Sequence, residues 1–210
     1  MNKFTLLSTI LLVITIAGCG SDDYFHDTGK ADGKHDCSIW EYMHSDGKNW
    51  DSTILVIERA GLQYLFDGTG SENKEITFFG PTNMSIMQFL YKTVNDNDEM
   101  VYKSVRDIPV ETCKRYILSH VIKGKKKSTD FDFEVKGTLT GGTEIKNLAG
   151  NTLRVYRTKG EYMGIPDIGA EALYVHSLTF GHIALIASSN IEMTNGFVHS
   201  LSTTYQLTEL

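Results

Sequence analysis

The sequence is poor in cysteine and lacks the common metal-binding and catalytic motifs. Its three cysteines, Cys19, Cys37 and Cys113, do not form the closely spaced pairs of a zinc site. There is no HExxH motif, no nucleophile elbow and no glycine loop of the kind that cradles phosphate. The run 95–98 lacks the glycine and the distal glutamate of a calcium loop. We therefore predict no metal and no cofactor, and nothing in the sequence argues for an enzyme.

An excess of positive charge is also missing. The chain has 20 Lys and Arg residues against 26 Asp and Glu residues, which gives a net charge of −6. Its one dense basic cluster lies at 123–127, contains a glycine and is typical of a solvated loop; we call it the lysine loop. Because nucleic acids are bound through extended basic surfaces, we predict no nucleic-acid partner.

The N-terminus resembles a bacterial lipoprotein signal. Lys3 precedes an apolar stretch at 4–16 that is too short to cross a bilayer comfortably. The tetrapeptide Ile16-Ala17-Gly18-Cys19 is similar to a lipobox, in which the cysteine receives a diacylglycerol and the new N-terminus is acylated. We expect residues 1–18 to be removed as a signal peptide and Cys19 to anchor the chain in a membrane. The alternative is an ordinary secretory signal with an incidental cysteine.

The segment that follows, 19–35, predicts a flexible tether. It is polar and contains Gly29 and Gly33, so it cannot bury apolar surface. The acidic residues Asp22 and Asp23 resemble the signal that sends some Gram-negative lipoproteins to the outer face of the outer membrane. We therefore expect an outer-membrane lipoprotein that faces the exterior, with the periplasmic face as the alternative.

The remaining residues predict one α+β domain in which helices come first. Ser38 and Glu41 form a capping-box pattern before a short helix. After a turn at 46–49, a second helix is expected from near Ser52 to a stop at Gly61, followed by one further helical turn at 62–66.

Strands are expected later in the chain. A brief strand at 76–79 leads into a helix, and another helix begins at 107–109 and places Cys113 and Val121 on one face. Cys113 is therefore expected to be a buried hydrophobe rather than the disulfide partner of Cys37. Alternating apolar and polar residues predict strands at 130–135 and 153–155.

Three segments resemble the fasciclin (FAS1) domain, in the order of that family. Residues 77–83 (TFFGPTN) resemble its first box, 116–122 (YILSHVI) its central Tyr-His segment, and 191–199 (IEMTNGFVH) its second box, whose core is NGxxH. The resemblance covers residues 36–208. It implies an α+β fold, a β-wedge of about seven strands with several helices packed at one side. It also implies a non-enzymatic adhesion module, without a cofactor, that binds cell-surface proteins, matrix or polysaccharide.

The resemblance also assigns residues to roles. The positions matching the two boxes, which imply a structural role, are Thr77, Phe79, Pro81, Thr82, Asn83, Asn195, Gly196 and His199. In some animal members the Tyr-His segment is implicated in adhesion, which implies a ligand role for His120. The sequence departs from the family pattern in four places: Gly80 replaces the usual alanine, Ser119 stands in place of the second tyrosine, residues 200–203 lack the usual Ile-Asp, and 160–182 is longer than the usual connection.

His199 could serve the fold or catalysis. Alternation along 197–207 places it on the inward face of a strand, among apolar side chains. We predict a structural role, with partners supplied by the polar turn at 81–83. The alternative, a hydrolase on the same fold, would need a cleft that holds a histidine and a carboxylate at hydrogen-bond distance.

The predicted binding surface is the part of the domain outside the boxes. It comprises the lysine loop, an acidic strand face at 130–134 and an insertion at 160–182. Tyr162 and Tyr174, with Tyr156, are candidates for an exposed aromatic platform; the alternative is that they pack within the insertion. Such a platform would also suit an accessory subunit of a surface complex that captures glycans or peptides.

Overall fold

The structure, a computed structural model, describes residues 33–210. The predicted signal peptide, Cys19 and most of the predicted tether lie outside these residues. Within 33–210, no helix is both long enough and apolar enough to cross a bilayer.

Helices dominate the first half of the described chain. The α-helices are α1 Ile39–Ser45, α2 Gly47–Ala60, α3 Gln63–Phe66, α4 Asn83–Lys92 and α5 Val110–Ser119, and short 3₁₀ helices lie at Val105–Asp107 and Ser128–Asp130. The predicted capping box is confirmed, because Glu41 N–H donates to Ser38 Oγ over 3.2 Å and Ser38 N–H donates to the Glu41 carboxylate over 2.8 Å. Gly61 ends α2 in the left-handed region at φ 67°, as predicted.

Two predicted helix boundaries were wrong. Residues 47–49, predicted as a turn, form the first turn of α2, since the polar residues that build turns also open helices. Val121 does not continue α5. The backbone N–H of His120 bonds to Ile117 O in a tightened last turn, and the chain then extends into a strand.

Seven strands form one sheet. They are β1 Ile76–Gly80, β2 Val121–Lys123, β3 Thr143–Lys146, β4 Thr152–Lys159, β5 Glu171–Ser177, β6 Ile183–Met193 and β7 Gly196–Leu201, in the order β2-β1-β7-β6-β5-β4-β3. Among these seven strands of the described residues, β1 and β7 pair in parallel and the other neighbours pair antiparallel. A bridge between Ile122 and Asn147 joins β2 to the end of β3, so the sheet nearly closes into a barrel.

The apolar side chains collect in two cores, one on each face of β1 and β7. Phe78 and Val198 point toward the helices and pack with residues such as Ile57. The residues next to them in sequence, including Phe79, point to the other face of the sheet and pack with side chains of β4, β5 and β6 in the second core. The α+β prediction, with about seven strands and the helices at one side, is confirmed.

Two other sequence predictions differ from the structure. No strand spans 130–135: the 3₁₀ turn at Ser128–Asp130 is followed only by isolated bridges at Phe133 and Glu134. The last residues of the predicted tether are also not free. Glu192 N–H donates to Gly33 O, and His35 N–H donates to Glu192 O over 2.8 Å, so backbone hydrogen bonds hold 33–35 against β6. A polar sequence can still pair through its backbone.

The two cysteines of the described chain are unpaired. Cys113 is buried in the helix-side core, as its helical spacing predicted, and Cys37 is partly exposed. Burial raises the pKa of both thiols.

Candidate functional site

The two boxes lie side by side, because β1 of the first pairs in parallel with β7 of the second. Ile76 is opposite Gly196, and Phe79 is opposite His199. A Cβ atom on Gly196 would lie 2.1 Å from Ile76 O, which only glycine avoids. This close approach explains the glycine of the second box.

Asn195 joins the strands to the helices. Its side-chain Oδ1 accepts from Ile39 N–H at the start of α1 over 2.9 Å, and its Nδ2 donates to Phe66 O at the end of α3 over 2.8 Å. The side chain is almost completely buried. An amide is suited to this position because it offers both an acceptor and donors.

The end of the first box clamps α2. Thr53 Oγ1 donates to Pro81 O over 2.6 Å. Asn83 accepts from Ser52 N–H over 2.7 Å and donates to Lys48 O over 3.0 Å. Gly80 lies under the Trp50 ring, whose nearest atom would be 2.7 Å from an added Cβ. The large indole of α2 therefore explains why glycine replaces the family's alanine here.

His199 is fully buried between aromatic rings, with Phe79 stacked on it at 5.8 Å. Its Nε2–H donates to Lys126 O over 3.0 Å, and Nδ1 accepts from Asn190 N–H over 3.3 Å. The predicted inward orientation is present, but the predicted partners were wrong. The turn at 81–83 is engaged with α2, and the partners come from the lysine loop and β6. Burial lowers the pKa of His199 to about 4, so the imidazole is neutral.

His120 is also fully buried, which contradicts its predicted accessibility to a ligand. Its Nδ1–H donates to Tyr116 O over 2.6 Å, and its Nε2 accepts from the Tyr205 hydroxyl over 2.8 Å. Leu210 N–H donates to Ser119 Oγ over 3.0 Å. The C-terminal residues thus cover the Tyr-His segment. Burial lowers the pKa of His120 to about 4.

The predicted aromatic platform is not one surface. Tyr156 is buried and stacks on Tyr174, with their ring centroids 5.4 Å apart, across the β4–β5 pair. Arg154 lies over the Tyr156 ring at 4.2 Å. Tyr162 lies apart from this stack, in the loop between β4 and β5, and is 57% exposed. Of the three tyrosines, Tyr162 is the most exposed, Tyr174 is partly exposed and Tyr156 is buried.

The lysine loop is more than a solvated loop. Lys125 Nζ donates to Met193 O over 3.0 Å, pairs with Glu192 at 3.4 Å and lies over the Phe197 ring. Lys126 N–H donates to Thr77 Oγ1 over 2.9 Å, and Thr77 Oγ1 donates to Gly124 O. Part of the loop therefore holds the two boxes in place.

Two neighbouring loops carry exposed apolar side chains that the sequence patterns did not single out as a group, and we call this group the apolar tip: Leu139, Tyr162, Met163, Ile165 and Ile168. Leu139 is 82% exposed and Met163 is 84% exposed. Lys136 Nζ bonds to Lys159 O over 2.7 Å and pairs with Asp167, which joins the two loops. Tyr162-Met163-Gly164-Ile165, a Met-Gly turn between apolar residues, was the available signal.

The histidine–carboxylate pair that the hydrolase alternative would need is not found in the described chain. Over residues 33–210, no histidine lies within ion-pair distance of a carboxylate. In the same residues, no group of three His, Cys, Asp or Glu side chains is placed to hold a metal ion. The predicted acidic face at 130–134 is used locally: Asp130 accepts from Lys127 N–H, and Asp132 accepts from Thr143 Oγ1.

Comparison with known proteins identifies the family. The family model for the fasciclin domain matches residues 48–204. The solved FAS1 domain pair of the insect cell adhesion molecule fasciclin I has 15% sequence identity to this chain and a TM-score of 0.50. That match covers 77% of this chain and 46% of the domain pair, so the chain spans less than half the length of that protein. The comparison with curated proteins finds no match. Domains of this family are typically adhesion-related and generally non-enzymatic. The paired boxes and the family match together show that this chain belongs to the fasciclin domain family.

Proposed function

We propose that the protein is a non-enzymatic adhesion module held on the exterior of a bacterial outer membrane by a lipid on Cys19. Its ligand would be a cell-surface protein, a matrix component or a polysaccharide. The family membership and the lipobox-like tetrapeptide support this assignment. The observation that carries it furthest is the apolar tip.

The tip exposes apolar side chains at a conformational cost. Tyr162 and Ile165 exchange two backbone hydrogen bonds of 3.0 Å around a turn in which Met163 has φ 52° and Gly164 has φ 79°. A non-glycine residue in this region costs on the order of 1 kcal/mol. Exposed tyrosine and methionine are enriched where proteins contact partners. We therefore assign the tip as the main contact surface.

The test of the tip combines Tyr162→Ala with Met163→Gly, which removes two exposed side chains and relaxes the turn. Its matched control combines Tyr64→Ala with Asn73→Gly, a half-exposed tyrosine and another residue of positive φ, 54°. Binding is measured on host matrix proteins and glycan arrays. We expect the tip variant to lose binding about tenfold or more and the control to retain it. Equal losses in both variants would remove the tip from the proposal.

Charge should matter less than the tip at physiological salt. Lys125 is left unchanged, because its side chain holds β6 and β7 together and its replacement would disturb the fold. The charge variant is therefore Lys123→Ser with Lys127→Ser. If this variant alone abolishes binding while the tip variant binds normally, the contact surface is electrostatic.

The anchor has a separate test. Cells expressing the native chain or Cys19→Ala are labelled with a fatty-acid analogue. We expect label on the native protein alone, and an unlipidated precursor of the mutant. Equal label on both proteins would contradict lipidation at Cys19. Protease treatment of intact cells then distinguishes the exterior from the periplasmic face.

One observation favours the second candidate, an accessory subunit that captures glycans or peptides. The partly exposed Phe133 ring has Arg157 over it at 4.0 Å and Lys159 at 5.1 Å, and it lines a cavity of about 360 Å³ with Asp167. Aromatic faces with nearby charges suit polar ligands that have flat apolar sides. Loss of glycan-array binding in Phe133→Ala, with matrix binding retained, would favour this role.

A further inference from the structure

A groove apart from the apolar tip has the composition of a small-molecule site. Its cavity is about 440 Å³ and lies between the start of α2, one face of α4 and the loop that follows α4. Met84 and Met87 of α4 and Met100 of the loop supply its apolar wall, and we call it the methionine groove. Small-molecule sites commonly have volumes of about 300–1,000 Å³ and mostly apolar walls.

The three methionines are partly exposed, although methionine is an apolar residue that often packs in a core. Met43 and Met193, by contrast, are buried. Methionine has a flexible, polarisable side chain that adapts to aliphatic ligands of varied shape. Tyr91 extends the same apolar face and adds a hydroxyl at its edge. The wall of the groove therefore suits an aliphatic chain.

The charged side chains that line the groove, Lys48 and Lys103, are both positive, although the chain as a whole is acidic. In the described chain neither ammonium group has an ion-pair partner. Two carboxylates that bond to lining residues are not themselves part of the lining. Asp107 accepts from Lys103 N–H over 3.0 Å, and Asp46 accepts from the Asn49 side chain over 3.0 Å. The groove therefore offers two unpaired cations to a ligand.

The position of the groove at the start of a helix also favours a negatively charged ligand. Lys48 and Asn49 lie in the first turn of the 14-residue helix α2, where the macrodipole is positive. Apolar walls, two lysines and this helix start all point to one chemistry. We propose that the methionine groove binds a small amphipathic carboxylate, with its aliphatic chain along the methionines and its carboxylate at Lys48 and Lys103.

The methionines make the proposal directly testable by NMR. The full chain carrying Cys19→Ala, so that no attached acyl chain competes, is labelled with ¹³C at the methionine methyl groups and titrated with submicellar decanoate. We expect saturable shifts of the Met84, Met87 and Met100 signals. Met43 and Met193 in the core, and Met163 at the apolar tip, are internal controls that should not move. Unmoved groove signals, or shifts at Met163 alone, would overturn the proposal.

The charge requirement is tested with matched ligands and variants. Decanol, which has the same chain without the carboxylate, should bind more weakly than decanoate. Lys48→Gln and Lys103→Gln should each weaken decanoate binding about fivefold, the effect of one exposed ion pair. Lys74→Gln is the control and should bind normally. Equal binding of decanol and decanoate, or unchanged decanoate binding in both lysine variants, would show that the groove does not recognise a carboxylate.

Discussion

In the two boxes, β1 and β7 lie so close together that an additional side-chain atom would clash with the neighbouring strand. Gly196 faces a carbonyl of the neighbouring strand, and His199 fills the space between three aromatic rings. The imidazole satisfies both of its nitrogens with backbone groups. These residues act through packing and hydrogen bonding, so their loss should appear in the free energy of unfolding.

Replacing Gly196 with alanine should destabilise the domain strongly. The new methyl would overlap Ile76 O at 2.1 Å and Ile39 Cδ1 at 2.8 Å, so β1 and β7 must separate. Overpacking of this kind costs about 3 kcal/mol. Gly160→Ala is the control, because its added Cβ would meet Ala170 O at an ordinary 3.5 Å. Urea denaturation measures both variants, and similar midpoints would contradict the prediction.

Truncating His199 to alanine should cost about 2–4 kcal/mol, because the change leaves a cavity and an unpaired Lys126 carbonyl. Thermal melting compares this variant with His182→Ala, in which the histidine is exposed. A His199→Ala protein that melts like the native protein but loses ligand binding would reverse the structural assignment.

At the scale of elements, the C-terminal segment 205–210 serves as a cover. Tyr205, Leu207 and Leu210 are buried, and Asn147 Nδ2 donates to Leu210 O over 3.0 Å. The family model ends at 204, yet the residues after it seal the Tyr-His segment. The accessibility of that segment is therefore decided here by a neighbouring element rather than by the segment itself.

Ending the chain after Thr204 should uncover His120 and destabilise the domain. Three buried apolar side chains and the Tyr205 hydroxyl would be lost, at about 1.5–3 kcal/mol for each apolar side chain. Urea denaturation gives the loss, and NMR titration should show the His120 pKa rising from about 4 toward its ordinary value. Glu209→Gln is the control: it removes the ion pair with Arg115 but keeps an amide oxygen that can accept from Asn151, and it leaves the three apolar side chains in place. Native stability of the truncated chain would contradict the covering role.

For the molecule as a whole, the two buried histidines make stability depend on pH. Both have a pKa of about 4 in the folded state against an ordinary value of 6.5, so the unfolded chain binds protons more readily between these limits. Stability should be complete above about pH 6.5 and should fall as the pH drops toward 4, by on the order of 3 kcal/mol for each histidine.

Denaturation in urea at several pH values from 7.5 to 4.5 measures this loss. His199→Gln should reduce the pH-dependent loss by about half, because His120 still contributes, whereas exposed His44→Gln is the control that should leave the loss unchanged. A free energy of unfolding that is constant from pH 7.5 to 5 would show that the histidines do not titrate as their burial requires.

Local patterns were enough to predict the class of the fold and several of its contacts. Some features depend only on neighbours in sequence or on strand alternation, so residue spacing is enough to predict them. They are the capping box at Ser38, the stop at Gly61 and the inward orientation of His199. The NGxxH pattern assigned Gly196 a structural role, but its close approach to Ile76 O is visible only in the tertiary structure. The signal peptide, the lipidated Cys19 and the domain boundaries stay predictions, except that residues 33–35 of the predicted tether are hydrogen-bonded to β6.

Tertiary structure decided which residues are available to a ligand. The burial of His120 depends on residues 85 positions away, and the partners of His199 come from the lysine loop and β6. Tyr156 and Tyr174 were equivalent to Tyr162 by composition, but strand register stacks the first two and leaves the third on an exposed turn. The methionine groove combines residues spread over 55 positions of the chain, from Lys48 to Lys103, and also includes Thr203. Such contacts depend on chain crossings and register, which local spacing does not encode.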